Sequence, residues 1–272
     1  MMSQHPCFNK EAHRVYGRIH LPVAPECNIS CGFCDRKFSC VNESRPGVTA
    51  SVLSPEEAVE KAVRQAALHP ELKVIGIAGP GDPLANPEKT LGTLRLVREQ
   101  LPDMLLCLSS NGLALPGLAD DIADLGVTHM TVTVNAVSPA IGAKIYRHVR
   151  LGGEALSGEA AAAAILARQE EGVRKLKARG VTVKVNMVIV PGVNDAHSED
   201  VARAVKSWGA DLMNCMPLMP VAGTPLESCG SPSPESMAAI RKTAEAYLPQ
   251  MRHCTRCRAD ACGLLGQPGI LG

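Results

Sequence analysis

A chain of 272 residues is long enough for one large domain or two small ones, and with 46% hydrophobic residues it can bury a sizeable core. Its 28 basic and 27 acidic residues leave a formal charge of +1, and only 3% of residues are aromatic, so composition gives no support to binding of nucleic acid or an anionic membrane surface. No apolar run of about 18 residues occurs, and the polar N-terminus lacks the apolar segment of a signal peptide, which points to a cytoplasmic protein without a membrane span.

Strands are expected near 17–24, 73–78, 104–109, 128–135, 181–190 and 211–216, with helices near 55–69, 87–101, 117–125, 138–147, 158–179, 197–208 and 234–247. Ser54 followed by Pro55 and Glu57 is a helix start, with a cap, a proline in the first turn and an acid that can reach back. Ser233-Pro234 repeats the signal, and Gly126, Gly180 and Gly209 stand where helices should end. In the long helix Ala162, Ile165, Leu166, Val173 and Leu176 share one face, a stripe that reads as core.

Repeated strand–helix units imply a parallel sheet with helical crossovers, either doubly wound or an incomplete barrel. Six units fall short of a complete barrel, so the expected fold is α/β, a partial (β/α)6 TIM-like barrel. No linker or composition shift divides the chain: residues 1–272 read as a single domain, with an N-terminal extension (1–16), the barrel (17–248) and a C-terminal extension (249–272). Both extensions contain cysteine.

Strands covered on both sides should be apolar on both faces. Read with the two-residue period, one face here is polar: Arg18 and His20; Cys107 and Ser109, leading to Asn111; Thr131, Thr133 and Asn135; Thr182, Lys184 and Asn186. Burying so many polar groups without partners would cost roughly 2 kcal/mol or more each, so these faces are expected to line a cavity for a polar ligand; the alternative is a sheet face that meets water.

The chain has 11 cysteines, an odd number that suits a disulfide framework poorly, and an intracellular protein does not normally keep disulfides. Scattered buried thiols would explain a count, not a spacing. Cys27-Asn28-Ile29-Ser30-Cys31-Gly32-Phe33-Cys34 follows the first strand, at the end where α/β active sites lie. Three thiolates spaced C-x3-C-x2-C can grip three irons of a 4Fe–4S cube and leave the fourth open to a chelating substrate such as S-adenosylmethionine (SAM). A structural zinc would need four protein ligands.

That motif resembles the radical SAM superfamily. Longer strings resemble one of its families, the NifB family of nitrogenase-cofactor biosynthesis: HPCF at 5–8, GRIHLPVAPECNISCGFC at 17–34, CVNESRPGV at 40–48, AGPGDPLAN at 78–86, SSNG at 109–112, VPGVND at 190–195 and CTRCRADACG at 254–263. The resemblance runs over residues 5–265 and is to the short form, without the NifX-like domain. It implies a barrel of the radical SAM type and three 4Fe–4S clusters, one that binds SAM and two auxiliary substrate clusters fused into an eight-iron precursor called NifB-co or the L-cluster. One SAM donates a methyl group to a cluster sulfide; a second supplies the 5′-deoxyadenosyl radical that abstracts hydrogen from it. The carbon ends as a central carbide, and a ninth sulfur is added. Implied partners are SAM, a reductant of the ferredoxin or flavodoxin type, cluster donors, and downstream cofactor scaffold or carrier proteins, in an anaerobic cytoplasm.

The same resemblance supports ligand sets beyond Cys27, Cys31 and Cys34. Cys7 with the Cys254/Cys257 pair makes one trio, and His20, Cys40 and Cys107 make a second, in which a neutral histidine can leave during fusion. Cys215, Cys229 and Cys262 are left as non-ligands, and His253 stands beside Cys254. The turn at Gly79 to Asp82 is expected to meet the methionyl amino group; it lacks the third glycine of a dinucleotide fingerprint. Phe33 is expected near the adenine, with Met216 a second candidate, and Ser109, Asn111 and Asn186 suit ribose and carboxylate. Glu43 is expected to move a proton during methyl processing, and Arg45 to stabilise sulfide or carboxylate charge near the clusters. The rivals are another radical SAM maturase with auxiliary clusters and a non-catalytic iron–sulfur scaffold, which would need no SAM pocket.

Overall fold

Period-two strands and capped helices follow one another in the computed structural model, which describes residues 4–40, 42, 49 and 51–266. Ser54 and Glu57 form the expected reciprocal cap at the start of α1 (Pro55–Leu68), and Ser233 accepts from the Ser236 amide at the start of α7 (Pro234–Glu245). Gly126, Gly180 and Gly209 have φ of 77°, 77° and 99°, the left-handed turn that ends a helix. The remaining helices are α2 (Pro87–Gln100), α3 (Ala119–Asp124), α4 (Pro139–Ile145), α5 (Gly158–Ala178) and α6 (Ser198–Ser207).

The strands of the main sheet are β1 (Gly17–His20), β3 (Leu72–Ile77), β4 (Leu105–Ser110), β5 (Val127–Thr133), β8 (Thr182–Ile189), β9 (Leu212–Pro217) and β10 (Cys262–Gly263). Their order is β10-β1-β3-β4-β5-β8-β9; β10 is antiparallel to β1, and the other neighbours are parallel. The sheet curls into a partial (β/α)6 barrel. Its outward side chains, among them Ile19, Ile75, Leu106, Met130, Val185 and Met213, join the helices in one hydrophobic cluster. Of the expected polar set, Arg18, His20, Cys107, Ser109, Thr131, Lys184 and Asn186 point inward to a cavity that Val74 and Gly76 of β3 also line.

The C-terminal extension joins the two edges of this sheet. Gln250 bridges to Met213 on β9, and Cys262 and Gly263 pair with Ile19 and Arg18 on β1. The intervening chain therefore spans the gap that a six-stranded barrel leaves open. The N-terminal extension tucks against the inside: the His5, Phe8 and His129 rings meet with centroids 4.6–4.7 Å apart, and Lys184 Nζ lies 5.0 Å from the Phe8 ring centre. The two extensions grip each other through His253 Nε2, which donates to the Pro6 carbonyl at 2.9 Å, and through stacking of His253 on His13.

A second sheet was not expected. β2 (Ile29–Cys31), β6 (Tyr146–Leu151) and β7 (Glu154–Leu156) pair antiparallel in that order, so the cysteine motif is part strand rather than a pure loop. The helix expected over 138–147 stops at Ile145 because Tyr146 and Val149 bury in β6, where aromatic and β-branched residues fit a pleated surface. The first barrel strand ends at His20 rather than residue 24; beyond it, Ala24 makes a single bridge to Pro80. Among the described residues no helix is long and apolar enough to cross a membrane.

Candidate iron–sulfur and SAM site

The turn after β1 is held from three sides. Cys31 pairs with Tyr146, Gly32 N–H donates to the Ile145 carbonyl at 2.7 Å, and Leu226 N–H donates to the Gly32 carbonyl at 2.9 Å. On the other side the Gly79–Asp82 turn lies along the chain entering the motif: Gly81 N–H donates to Ala24 at 2.6 Å and Asp82 N–H to Glu26 at 2.7 Å. A Cβ on Gly81 would stand 2.1 Å from the Glu26 carbonyl oxygen, so only glycine allows this approach. Gly79 has φ of 147°, again a glycine conformation.

These contacts gather Cys27, Cys31, Cys34, Cys40, Asp82 and Asn111 around one small pocket at the barrel mouth. None of the 11 cysteines forms a disulfide. Burial drives the Cys27 thiol up to about 12 and raises Cys31, and the neighbouring thiols raise Cys31 further. Such a site holds thiols until a cation arrives to favour the thiolates. Among the described residues no three His, Cys, Asp or Glu side chains converge to hold a single ion. A cube makes no such demand, because each thiolate takes its own iron. The donor set therefore fits the cluster: three soft thiols on one fixed turn.

An asparagine network that sequence reasoning missed stands behind the pocket. Asn42 Nδ2 donates to Cys31 Sγ at 3.5 Å; Asn135 Nδ2 donates to Asn42 Oδ1 at 3.2 Å, and Asn186 Nδ2 to the Asn42 carbonyl at 3.3 Å. Asn214 Nδ2 continues the chain to Asn186 Oδ1 at 3.1 Å. Asn135 was legible as a polar residue on a strand face, and Asn42 as part of the string at 40–48. Their meeting, 93 positions apart, was not.

The inward faces enclose a larger cavity, about 60 Å³, deeper in the barrel. Its walls carry Cys7, Cys254 and Cys257, together with His20 and Cys107. Cys40 lies instead on the mouth pocket, because its N–H donates to the Pro80 carbonyl at 2.9 Å. The second trio of the sequence reading is thus divided between two neighbouring spaces. His20 Nδ1 donates to the Arg258 carbonyl at 3.0 Å, which leaves Nε2 as the lone-pair nitrogen. Burial, then Arg18, hold its pKa down to about 4, so the ring is neutral, as a metal ligand must be. Arg18 Nη2 donates to Cys257 Sγ at 2.9 Å.

The SAM candidates fall in different places. Ser109, Asn186 and Met216 line the inner cavity; Asp82 and Asn111 line the mouth pocket. Asp82 is closely engaged within the protein, accepting from Ser110 Oγ at 2.9 Å and from the Asn111 and Leu84 amides at 2.6 and 2.9 Å. Phe33 is fully buried in a second hydrophobic cluster with Tyr146, Val188 and Leu218. Glu43 and Arg45 lie outside the described residues. Cys215 is fully buried in the main core, Cys262 sits on β10, and His253 turns to Pro6 rather than to the cavity.

Buried neutral imidazoles give the cluster-free protein a pH dependence. Burial, then Lys184, lower the pKa of His129 to about 4 from an ordinary 6.5. The unfolded chain therefore takes up a proton that the folded chain refuses, so stability is present above about pH 6.5 and is lost as pH falls toward 4. At about pH 5 this one histidine costs about 2 kcal/mol relative to neutral pH. Urea denaturation at the two pH values should show that loss, and His129→Gln should diminish it by that amount.

A cysteine-bearing turn at the end of the first strand of a six-stranded parallel half-barrel defines a class. The radical SAM superfamily model matches residues 21–205, and the chain belongs to that superfamily, which implies a 4Fe–4S cluster and SAM. The solved structure of methylornithine synthase (PylB) is similar in fold, with a TM-score of 0.57 and 17% identity over 92% of this chain and 76% of that one. More particularly, the chain is similar to the FeMo cofactor biosynthesis protein NifB. It is 51% identical to the Klebsiella pneumoniae protein over 97% of this chain and 57% of that protein. It is 49% identical to the Chlorobaculum tepidum protein over 98% of this chain and 63% of that protein. The chain thus spans less than two thirds of the length of these relatives.

Proposed function

We propose that this chain fuses two 4Fe–4S substrate clusters, with a SAM-derived carbon and an added sulfur, into the eight-iron precursor of the nitrogenase cofactor. The observation that carries the reading is the adjacency of two cysteine-lined spaces, the mouth pocket and the inner cavity, with more soft donors than one cluster needs. In this reading Cys27, Cys31 and Cys34 hold the resident cluster, which supplies the reducing electron for SAM cleavage. Cys7, Cys254 and Cys257 hold one substrate cluster; His20, Cys40 and Cys107 hold the other, with His20 presenting the lone pair left by its bond to Arg258. Similarity to the NifB proteins supports both trios.

The remaining roles belong to this chain's own groups. The Gly79–Asp82 turn meets the methionyl amino group. Ser109, Asn111 and Asn186 contact ribose and carboxylate, and the adenine lies near Phe33, with Met216 as the second candidate. Glu43 relays a proton and Arg45 steadies developing sulfide charge. A ferredoxin- or flavodoxin-type reductant, cluster donors and downstream carrier proteins complete the cycle in the cytoplasm. SAM labelled in its methyl carbon tests the reading. The label should appear in the acid-labile cluster fraction, alongside S-adenosylhomocysteine and 5′-deoxyadenosine; label recovered only in SAM-derived small molecules would contradict carbon insertion.

A further inference from the structure

The inner cavity has an unbalanced charge. Arg18, Lys184 and Arg256 all reach its wall, and among the described residues no aspartate or glutamate does. Arg18 and Lys184 are 4% and 6% exposed. Among the described residues none of the three pairs with a carboxylate. Among the described residues Lys184 Nζ meets Met251 Sδ at 3.8 Å and the face of Phe8. Arg18 Nε, Arg256 Nε and Arg256 Nη1 are buried without a hydrogen-bond partner. Arg256 is also held with φ of +50°, a left-handed conformation that costs a non-glycine residue roughly 1 kcal/mol.

Buried cations without counter-charge are expensive, and a fold retains them at a price in stability. The missing charge must come with a guest. Metal cations are the wrong sign; a 4Fe–4S core bound by three or more thiolates, whose thiols lose their protons as it arrives, carries a net negative charge.

We propose that Arg18, Lys184 and Arg256 form a cationic cradle that retains an anionic iron–sulfur cluster inside the barrel by electrostatics, in addition to its bonds to protein thiolates. This rests on the proposed function for the identity of the guest, whereas the anion preference of the cavity stands by itself. A guest held in this way stays in place while individual ligand bonds are exchanged.

Two arms test it. In the cluster-free full chain, sulfate serves as a dianion probe by calorimetry. Lys184→Met and Arg256→Gln should each weaken sulfate binding about tenfold, with the melting temperature of Lys184→Met equal to or above that of the unaltered chain. In the anaerobically reconstituted chain, the same variants should lose iron to a chelator about tenfold faster, while Lys184→Arg stays close to the unaltered chain. A residue with a purely structural role would lower the melting temperature and leave sulfate affinity in the folded fraction unchanged. The cradle is overturned if the unaltered chain does not bind sulfate, or if both neutral variants bind it and keep iron as the unaltered chain does. If the unaltered chain takes up only one cluster, the proposed function fails and the sulfate arm still decides the cradle.

Discussion

Cys31→Ser should remove the iron of one cluster, about four atoms per chain, and reduce 5′-deoxyadenosine to background. Cys31 is fixed by its pairing with Tyr146, is 4% exposed, and takes the Asn42 amide on its sulfur. A serine oxygen is a poorer iron ligand and stands closer to its own backbone, so the cube loses one of three anchors on a turn that the Ile145 and Leu226 bonds prevent from adjusting. Iron in the inner cavity should remain, because Cys7, Cys254 and Cys257 lie on other segments of the chain. Cys215→Ala is the control. That thiol is fully buried in the main core, so its loss should lower the melting temperature and leave iron unchanged. Iron assay and chromatography of the nucleosides read both variants; a Cys31→Ser protein that makes 5′-deoxyadenosine normally would remove the motif from its role.

Gly81→Ala should be the most damaging single methyl group in the mouth region. The added Cβ would lie 2.1 Å from Glu26 O, 2.7 Å from Glu26 C and 2.8 Å from Pro25 O, all of them backbone atoms. Neither partner can yield freely, because Gly81 and Asp82 each donate a hydrogen bond across the same gap. The expected cost is about 3 kcal/mol, the upper part of the range for overpacking. The displaced residue adjoins Cys27, so SAM cleavage should fall with stability. Gly92→Ala makes the contrast: nothing lies within 4 Å of its Cβ, and it sits inside α2, where alanine should stabilise by about 0.5–1 kcal/mol. Thermal melts of the two variants should shift in opposite directions.

Local chemistry is what a sequence displays most openly. The Ser54 cap, the proline starts and the helix-ending glycines depend on residues a few positions apart, and all are found in the structure. The polar strand faces were legible for the same reason: a period of two assigns each side chain to a face, and Arg18, His20, Cys107, Ser109, Thr131, Lys184 and Asn186 meet around one cavity. The pairing of Ile29 with Val149 has no local sign in the sequence, so β2, β6 and β7 are not legible there and the helix expected over 138–147 runs two residues past the end of α4. Cys40 follows the motif closely in sequence, and one backbone bond to Pro80 sets its segment on the mouth pocket, while His20 and Cys107 line the inner cavity. Phe33, an aromatic within a cofactor motif, is buried among Tyr146, Val188 and Leu218 because the strand on which the motif is built faces a core of its own.

Anaerobic reconstitution of the chain with iron and sulfide, followed by addition of dithionite and SAM, tests the proposed cluster fusion most directly. The expected result is about twelve irons per chain, three cubes' worth, with both 5′-deoxyadenosine and S-adenosylhomocysteine formed as an eight-iron cluster matures. About four irons per chain and no S-adenosylhomocysteine would contradict it.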